Sequence, residues 1–371
     1  KRHDLVMIPI VKVFMPPKDV LMPALEQVLY SGMVGEGKHV YTFEDKFKKL
    51  FGINNAIAVS SGTAALHMAL ILAGIKKGDE VITTSMTAEP TNTSILQAGG
   101  VPVFADVDKN TGCLDPDSII EMISDKTKAI LLVHYAGYLV DVPELKEKLR
   151  RKINRKIKII EDCAHALGAT IDGRMVGTFG DYGIFSFQAI KHMTTIDGGF
   201  LVIKDTSQTK LAKKMRWFGM EKGVERTSLD LDVLGFKYNM NNVTGVIGEI
   251  QLDYVKDNIS RHQKNAQFYN MMLNDITGIE VVESRQSHSP SYWLYTLLCD
   301  DSDDIINKLN EINVAASKLH RPNHYHSLLS QCRRASMENL DSFYKRLVHL
   351  PCGWWIDEIT RSKIIEALRR G

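Results

Sequence analysis

At 371 residues, with 44% hydrophobic and 24% charged side chains, the chain can bury one large core plus a smaller lobe and has the make-up of an ordinary globular protein. A formal net charge of +2 supplies no basic field and gives nucleic acid binding no compositional support. The five cysteines are odd in number, scattered and without a C-x-x-C pair, which argues against a disulfide framework or a thiolate zinc site and for a reducing compartment. No apolar run approaches the roughly 18 to 20 residues of a membrane span, and the amino end carries no signal-peptide pattern, so no membrane association and a cytoplasmic location are expected.

The first 50 residues open irregularly with VFMPPKDV, pass through a helical pattern from Asp19 to Tyr30 and reach a glycine-rich turn, SGMVGEGKHV. The run AIAVSSGTAALHMALILAG, residues 56–74, reads as a strand, a Ser-Ser-Gly-Thr turn and a helix of strong helix formers. Small and hydroxyl residues at a helix start leave N–H groups aimed outward, which is an anion cradle; an ordinary N-cap satisfies the same pattern. GDEVITTSMTAEPTNTSILQAGGVPVFADVD continues as strand, loop, helix and strand, and KAILLVHYAG is a further buried strand. Strands alternating with helices at this spacing predict a mainly parallel, doubly wound sheet.

The chain is densest in chemistry between residues 158 and 200. One short apolar strand ends in Glu161-Asp162; a second, Tyr182 to Phe187, leads to Lys191. Chemistry collects just past the carboxyl ends of parallel strands, and both Asp162 and Lys191 stand there. A lysine amine that bonds an aldehyde, beside a carboxylate that keeps a pyridine nitrogen protonated, suits pyridoxal phosphate. Taken singly, each residue is read as simply as a strand-end aspartate or a solvated lysine. His165, three residues after Asp162, is either a packed structural histidine or a hydrogen-bond partner of ring hydroxyl or substrate. Beyond it, residues 221–234 are polar and aperiodic, a surface loop or a lid. Residues 246–274 form a long helical pattern that bridges to an α+β lobe containing SYWLYTLLCD, DIINKLNEI and SKIIEALRR. HRPNHYH, residues 320–326, has histidines at metal-like spacing, but Pro322 breaks any helix that would align them, so no metal site is expected.

EDCAHALGA, GDYGIFSFQAIK and TTIDGG, together with SSGT, KYN and PCGWW, resemble the DegT/DnrJ/EryC1/StrS family of sugar aminotransferases, over nearly the whole chain. The resemblance implies a fold-type I pyridoxal-phosphate transferase of the aspartate aminotransferase kind: residues 1–245 as N-terminal arm and large α/β domain with a mainly parallel, seven-stranded sheet, and 246–371 as bridging helix and small α+β domain. It implies Lys191 as the catalytic lysine and Asp162 as the ring-nitrogen partner. Gly62, Thr63 and Ser186 fall where the family binds the cofactor phosphate, with Asn239 of KYN reaching the phosphate of a partner subunit, so that a homodimer shares its active sites. Ala164 matches the small residue packed on one ring face, and His165 takes its place beside the ring. Ala88 falls where the family usually stacks an aromatic residue on the other face, which leaves that stacking partner unassigned. The glycine-rich turn matches an arm that approaches a neighbouring site, and His320-Arg321-Pro322-Asn323 resembles a family stretch near the substrate, with no role assigned to its residues.

The resemblance further implies L-glutamate as amino donor and a nucleotide-linked 4-keto-6-deoxyhexose as acceptor, giving a 4-amino-4,6-dideoxyhexose nucleotide of the viosamine or perosamine kind. Amination at C3 of a 3-keto sugar nucleotide is the alternative, as is a non-catalytic, cofactor-binding regulatory protein. Such regulators usually append a DNA-binding segment, and no basic helix-turn-helix is legible. A relative that dehydrates at C3 has histidine in place of the lysine, whereas Lys191 is retained here. A nicotinamide dehydrogenase lacks support, because no G-x-G-x-x-G follows an early strand.

Overall fold

The computed structural model describes residues 7–369; residues 1–6, the start of the expected arm, and 370–371, the end of the expected last helix, lie outside it. Two helices, α1 (Lys18–Leu29) and α2 (Lys38–Phe51), precede the first strand, β1 (Ala56–Val59). Alternation then sets in: α3 (Gly62–Leu72), β2 (Glu80–Thr84), α4 (Glu89–Gln97), β3 (Val101–Ala105), α5 (Pro116–Glu121), β4 (Thr127–Val133), α6 (Val142–Lys152) and β5 (Lys158–Asp162). A two-residue hairpin, β6 (Thr170–Ile171) and β7 (Arg174–Met175), leads to β8 (Tyr182–Ser186) and β9 (Gly199–Ile203).

The central sheet has the order β1-β9-β8-β5-β4-β2-β3. The pairs β3/β2, β2/β4, β4/β5 and β5/β8 are parallel, and β9 alone runs against its neighbours. Seven strands and a mainly parallel sheet are thus as the sequence implies. Buried on both faces, these strands are nearly continuous apolar runs rather than alternating ones. Helix α3 is likewise apolar almost all round and buried along its length, as a helix packed between sheet and neighbours must be.

One aromatic cluster fixes the sheet half that matters for chemistry. Phe47 of α2 stacks on Phe200 of β9 at 4.3 Å with an interplanar angle of 10°, and Phe43, Phe185 and Phe187 complete the group. Each such ring, fully buried, contributes roughly 1.5–3 kcal/mol. The end of β8 at Ser186 and the start of the loop that carries Lys191 therefore rest on a stiff floor.

After α7 (Thr209–Met215), the 32-residue α8 (Asn242–Leu273) spans to the C-terminal lobe. It begins four residues before the expected bridging helix, because Asn241 caps it by accepting from the Thr244 N–H. The lobe packs an antiparallel sheet of β10 (Ile279–Val281), β12 (Tyr295–Cys299) and β13 (Leu347–Leu350) against α9 (Ser302–Glu311), α10 (Glu338–Arg346) and α11 (Glu358–Arg369). The short β11 (His288–Ser289) instead pairs with β6.

Candidate active site

A cavity of about 360 Å³ opens at the carboxyl ends of the parallel strands. Gly62, Thr63, Ala88, Asp162, Ala164, His165, Ser186 and Lys191 all line it. Asn239 does not line the cavity of its own chain. Register explains the convergence: Asp162 on β5 pairs with Ile184 on β8. The loop after β8 returns Lys191 toward the same end, its backbone N–H bonded to Gln188 O at 3.0 Å.

Asp162 is buried, and burial pushes its carboxyl above the ordinary range. Opposing that shift are the Ala164 N–H on Oδ1 at 3.0 Å, the Thr91 hydroxyl on Oδ2 at 2.9 Å, the positive charge of Lys191 and, least, His134. Burial lowers Lys191 to about 8, with Asp162 resisting the fall. An amine held near 8 is a better base and nucleophile at neutral pH than a solvated one. Its Nζ sits 4.0 Å from the ring centroid of Trp293.

The aromatic surfaces of the cavity come from elements other than the loop around Ala88. Trp293 stacks on His165 at 3.9 Å, and His320 lies parallel to His165 at 5.8 Å. The indole N–H of Trp293 is anchored on Ile190 O at 2.8 Å. His165 accepts the Ala136 N–H on Nδ1 at 3.4 Å, and burial beside Lys191 and His320 holds it neutral, far below its usual range. A neutral ring with Nδ1 accepting carries its proton on Nε2 and offers it there as a donor. His320 is lowered to about 4, and its Nε2 is buried without a partner among the described residues. Ala88 itself is the N-cap residue of α4, at the cavity edge beside Thr87 and Pro90.

The N-terminus of α3 answers the choice between cap and cradle. Ser61 is the cap, its Oγ accepting from the Ala64 N–H at 3.0 Å. Gly62 and Thr63 are left with first-turn amides that have no acceptor inside the helix. A Cβ on Gly62 would lie 2.8 Å from Ser186 Cβ, so only glycine lets the helix start and the end of β8 close on one small space. At α8, Asn241 is the cap, while Asn239 Oδ1 accepts from Lys237 Nζ at 2.9 Å.

Beneath Asp162, the neighbouring Glu161 and His134, with Cys163, bring metal-type ligand atoms within 4.8 Å of one another. These atoms already have partners. Glu161 accepts from the backbone N–H groups of Gly177, Phe179 and Gly180 and from His134 Nε2, while His134 Nδ1 accepts from Val140 N–H. The group is a hydrogen-bonded support under the end of β5.

Thr91, Trp293 and His320 belong to the site and were not assigned from sequence. Thr91 sits one turn into the helix that follows β2, a position with a legible signal. Trp293 arrives from the C-terminal lobe with no local pattern to announce it, whereas His320 opens the HRPN stretch that the resemblance puts near the substrate.

A lysine in the loop after β8 and a buried carboxylate at the end of the adjoining β5, facing a helix start with free amides, define a fold-type I pyridoxal-phosphate transferase. The chain belongs to the DegT/DnrJ/EryC1/StrS aminotransferase family, whose model matches residues 18–369. It is a pyridoxal-phosphate-dependent sugar aminotransferase. It is 32% identical to the GDP-perosamine synthase of Escherichia coli O157:H7 over 80% of each chain. Spore coat polysaccharide biosynthesis protein SpsC of Bacillus subtilis is 31% identical over 92% of each chain. Among solved structures, the sugar aminotransferase CalS13 of Micromonospora echinospora superposes with a TM-score of 0.94 at 35% identity, over 98% of this chain and 100% of that one.

Proposed function

We propose that the protein transfers the amino group of L-glutamate to C4 of a nucleotide-linked 4-keto-6-deoxyhexose, as a homodimer whose two chains share their active sites. The observation that carries the reading is the placement of Lys191, with its lowered pKa of about 8, in one cavity with buried Asp162. The residues fit the cofactor. Asp162 would face the ring nitrogen, the amides of Gly62 and Thr63 with Ser186 would take the phosphate, and Ala164 would floor the ring. His165 would offer Nε2–H to the ring hydroxyl. Asn239, left out of its own chain's cavity, would reach the phosphate bound to the partner.

Pyridoxal phosphate supplies the electron sink that makes a Cα–H bond acidic. The protein supplies the proton traffic. Lys191 would hold the cofactor, and its Nζ, freed when the donor binds, would be the base that carries the proton from the donor Cα to the cofactor; the same amine would serve the acceptor half in reverse. Asp162 would stand opposite the ring nitrogen, and the Thr91 hydroxyl and the Ala164 amide, which both donate to it, favour its carboxylate form there. The neutral state of His165 matters for the same reason, since a second cation there would compete with Lys191 for Asp162.

The dimer is supported by exposed apolar side chains at the end of α1 and on the glycine-rich turn that follows, including Tyr30 at 86% and Met33 at 67% exposure. That turn is tied to α8 by Asn242, which donates to Met33 O and Gly35 O, next to Asn239. Similarity to a GDP-perosamine synthase supports C4 amination, since perosamine is a 4-amino-4,6-dideoxy sugar. Turnover of UDP-, dTDP- and GDP-linked 4-keto-6-deoxy sugars with glutamate, with products read by mass and NMR, tests the proposal. A 4-amino product on one nucleotide is expected; amination only of a 3-keto isomer, or of none, overturns it.

A further inference from the structure

Ile196 is an isoleucine in the left-handed region, with φ of +73°, and its side chain is 55% exposed. A β-branched residue is strained there, and a half-exposed apolar side chain gains little burial within the chain to offset that strain. The surrounding loop is held from both sides. Phe187 N–H donates to Gly198 O at 2.8 Å, while Thr195 N–H and Thr194 Oγ1 both donate to Phe187 O. Thr194 Oγ1 also accepts the Ile196 N–H at 2.8 Å, and Thr195 Oγ1 donates to Asp197 O at 3.0 Å. Phe187 itself belongs to the aromatic floor, so the loop is fixed relative to Lys191. The next two residues, Asp197 and Gly198, line the catalytic cavity; Ile196 is not part of the lining but directly adjoins it in the chain.

Strain retained in a clamped loop beside an active site points to a use for the side chain. Glutamate is small and reacts at the Lys191 end. A nucleotide-linked hexose is much larger, and a cavity of about 360 Å³ that must also take the cofactor leaves part of it at or beyond the rim. Resting on the function proposed above, we infer that Ile196 is a specificity-determining residue. Its backbone conformation holds an apolar side chain over the cavity mouth, where it packs on the acceptor and leaves the donor untouched.

Two substitutions test this. Ile196→Gly removes both strain and side chain; Ile196→Asn keeps a side chain that tolerates the left-handed region but makes it polar. Both variants are expected to melt at higher temperature than the wild type. Both are expected to raise KM for the nucleotide-sugar at least fivefold, with the rate at which glutamate converts the bound cofactor, read by absorbance, within twofold. Acceptor KM within twofold of the wild type, a melting temperature that does not rise, or dissociation of the dimer in place of the KM effect would each overturn the inference. The wild type run alongside separates the failures. If it aminates no nucleotide-sugar, the functional reading falls and takes this inference with it; if it does so and the variants match it, this inference falls alone.

Discussion

The environment of Asp162 is a balance between burial, which favours its neutral form, and two hydrogen bonds plus one ammonium charge, which favour the carboxylate. Thr91→Val removes one of those bonds with little change of shape. Because a hydrogen bond to a charged group is worth about 1.5 kcal/mol or more, kcat should fall about tenfold while cofactor content stays near that of wild type. An unchanged kcat would show that Asp162 does not depend on Thr91. Lys191 gives a pH prediction with a definite sign. Burial favours its neutral form, so in cofactor-free protein the covalent capture of pyridoxal phosphate should speed up as pH rises and level off above about 8. The negative charge of Asp162 raises the lysine, so Asp162→Asn should move that midpoint to lower pH. An upward shift would mean that the two groups do not interact as the structure has them.

At the scale of elements, the caps of α3 and α8 are Ser61 and Asn241, which leaves Gly62, Thr63 and Asn239 for the cofactor roles proposed above. Asn241→Ala should cost about 1 kcal/mol of stability, seen as a lower Tm, without weakening cofactor retention on dialysis. Asn239→Ala should do the reverse. Equal effects of the two on both readouts would remove the distinction. This division was not legible from sequence, where SSGT and KYNMNN each offer adjacent hydroxyl or amide side chains, and only the backbone decides which of them caps. The parallel strands, by contrast, could be read directly from apolar runs such as KAILLV and GFLVI, because a sheet covered on both faces needs them. The lysine and aspartate were legible for a related reason: strand ends in such a sheet all point at one crevice. Trp293 was hidden because it reaches that crevice from the other lobe, over a sequence separation that no local periodicity records; His320 was legible only through the family likeness of its HRPN stretch, which gave a place and no role.

For the whole molecule, the proposal that each active site draws Asn239 from a second chain has a test that needs no structure of the dimer. Lys191→Ala and Asn239→Ala variants, each nearly inactive alone, should regain activity when dissociated and reassembled together. A hybrid dimer then carries one site with both lesions and one with neither, and random mixing predicts about a quarter of wild-type turnover. Absence of any recovery, with hybrid formation verified by mass, would mean that each chain completes its own site. The same experiment bears on the exposed apolar turn at Tyr30 and Met33, which a dimer would cover.

Every step of the account returns to the amine on Lys191. Borohydride reduction of the cofactor-loaded protein, followed by peptide mass mapping, tests that claim most directly. The account predicts a single pyridoxyl adduct on the peptide containing Lys191, lost when glutamate is added before reduction. An adduct on any other lysine, or none at all in protein whose absorbance shows bound cofactor, would contradict it.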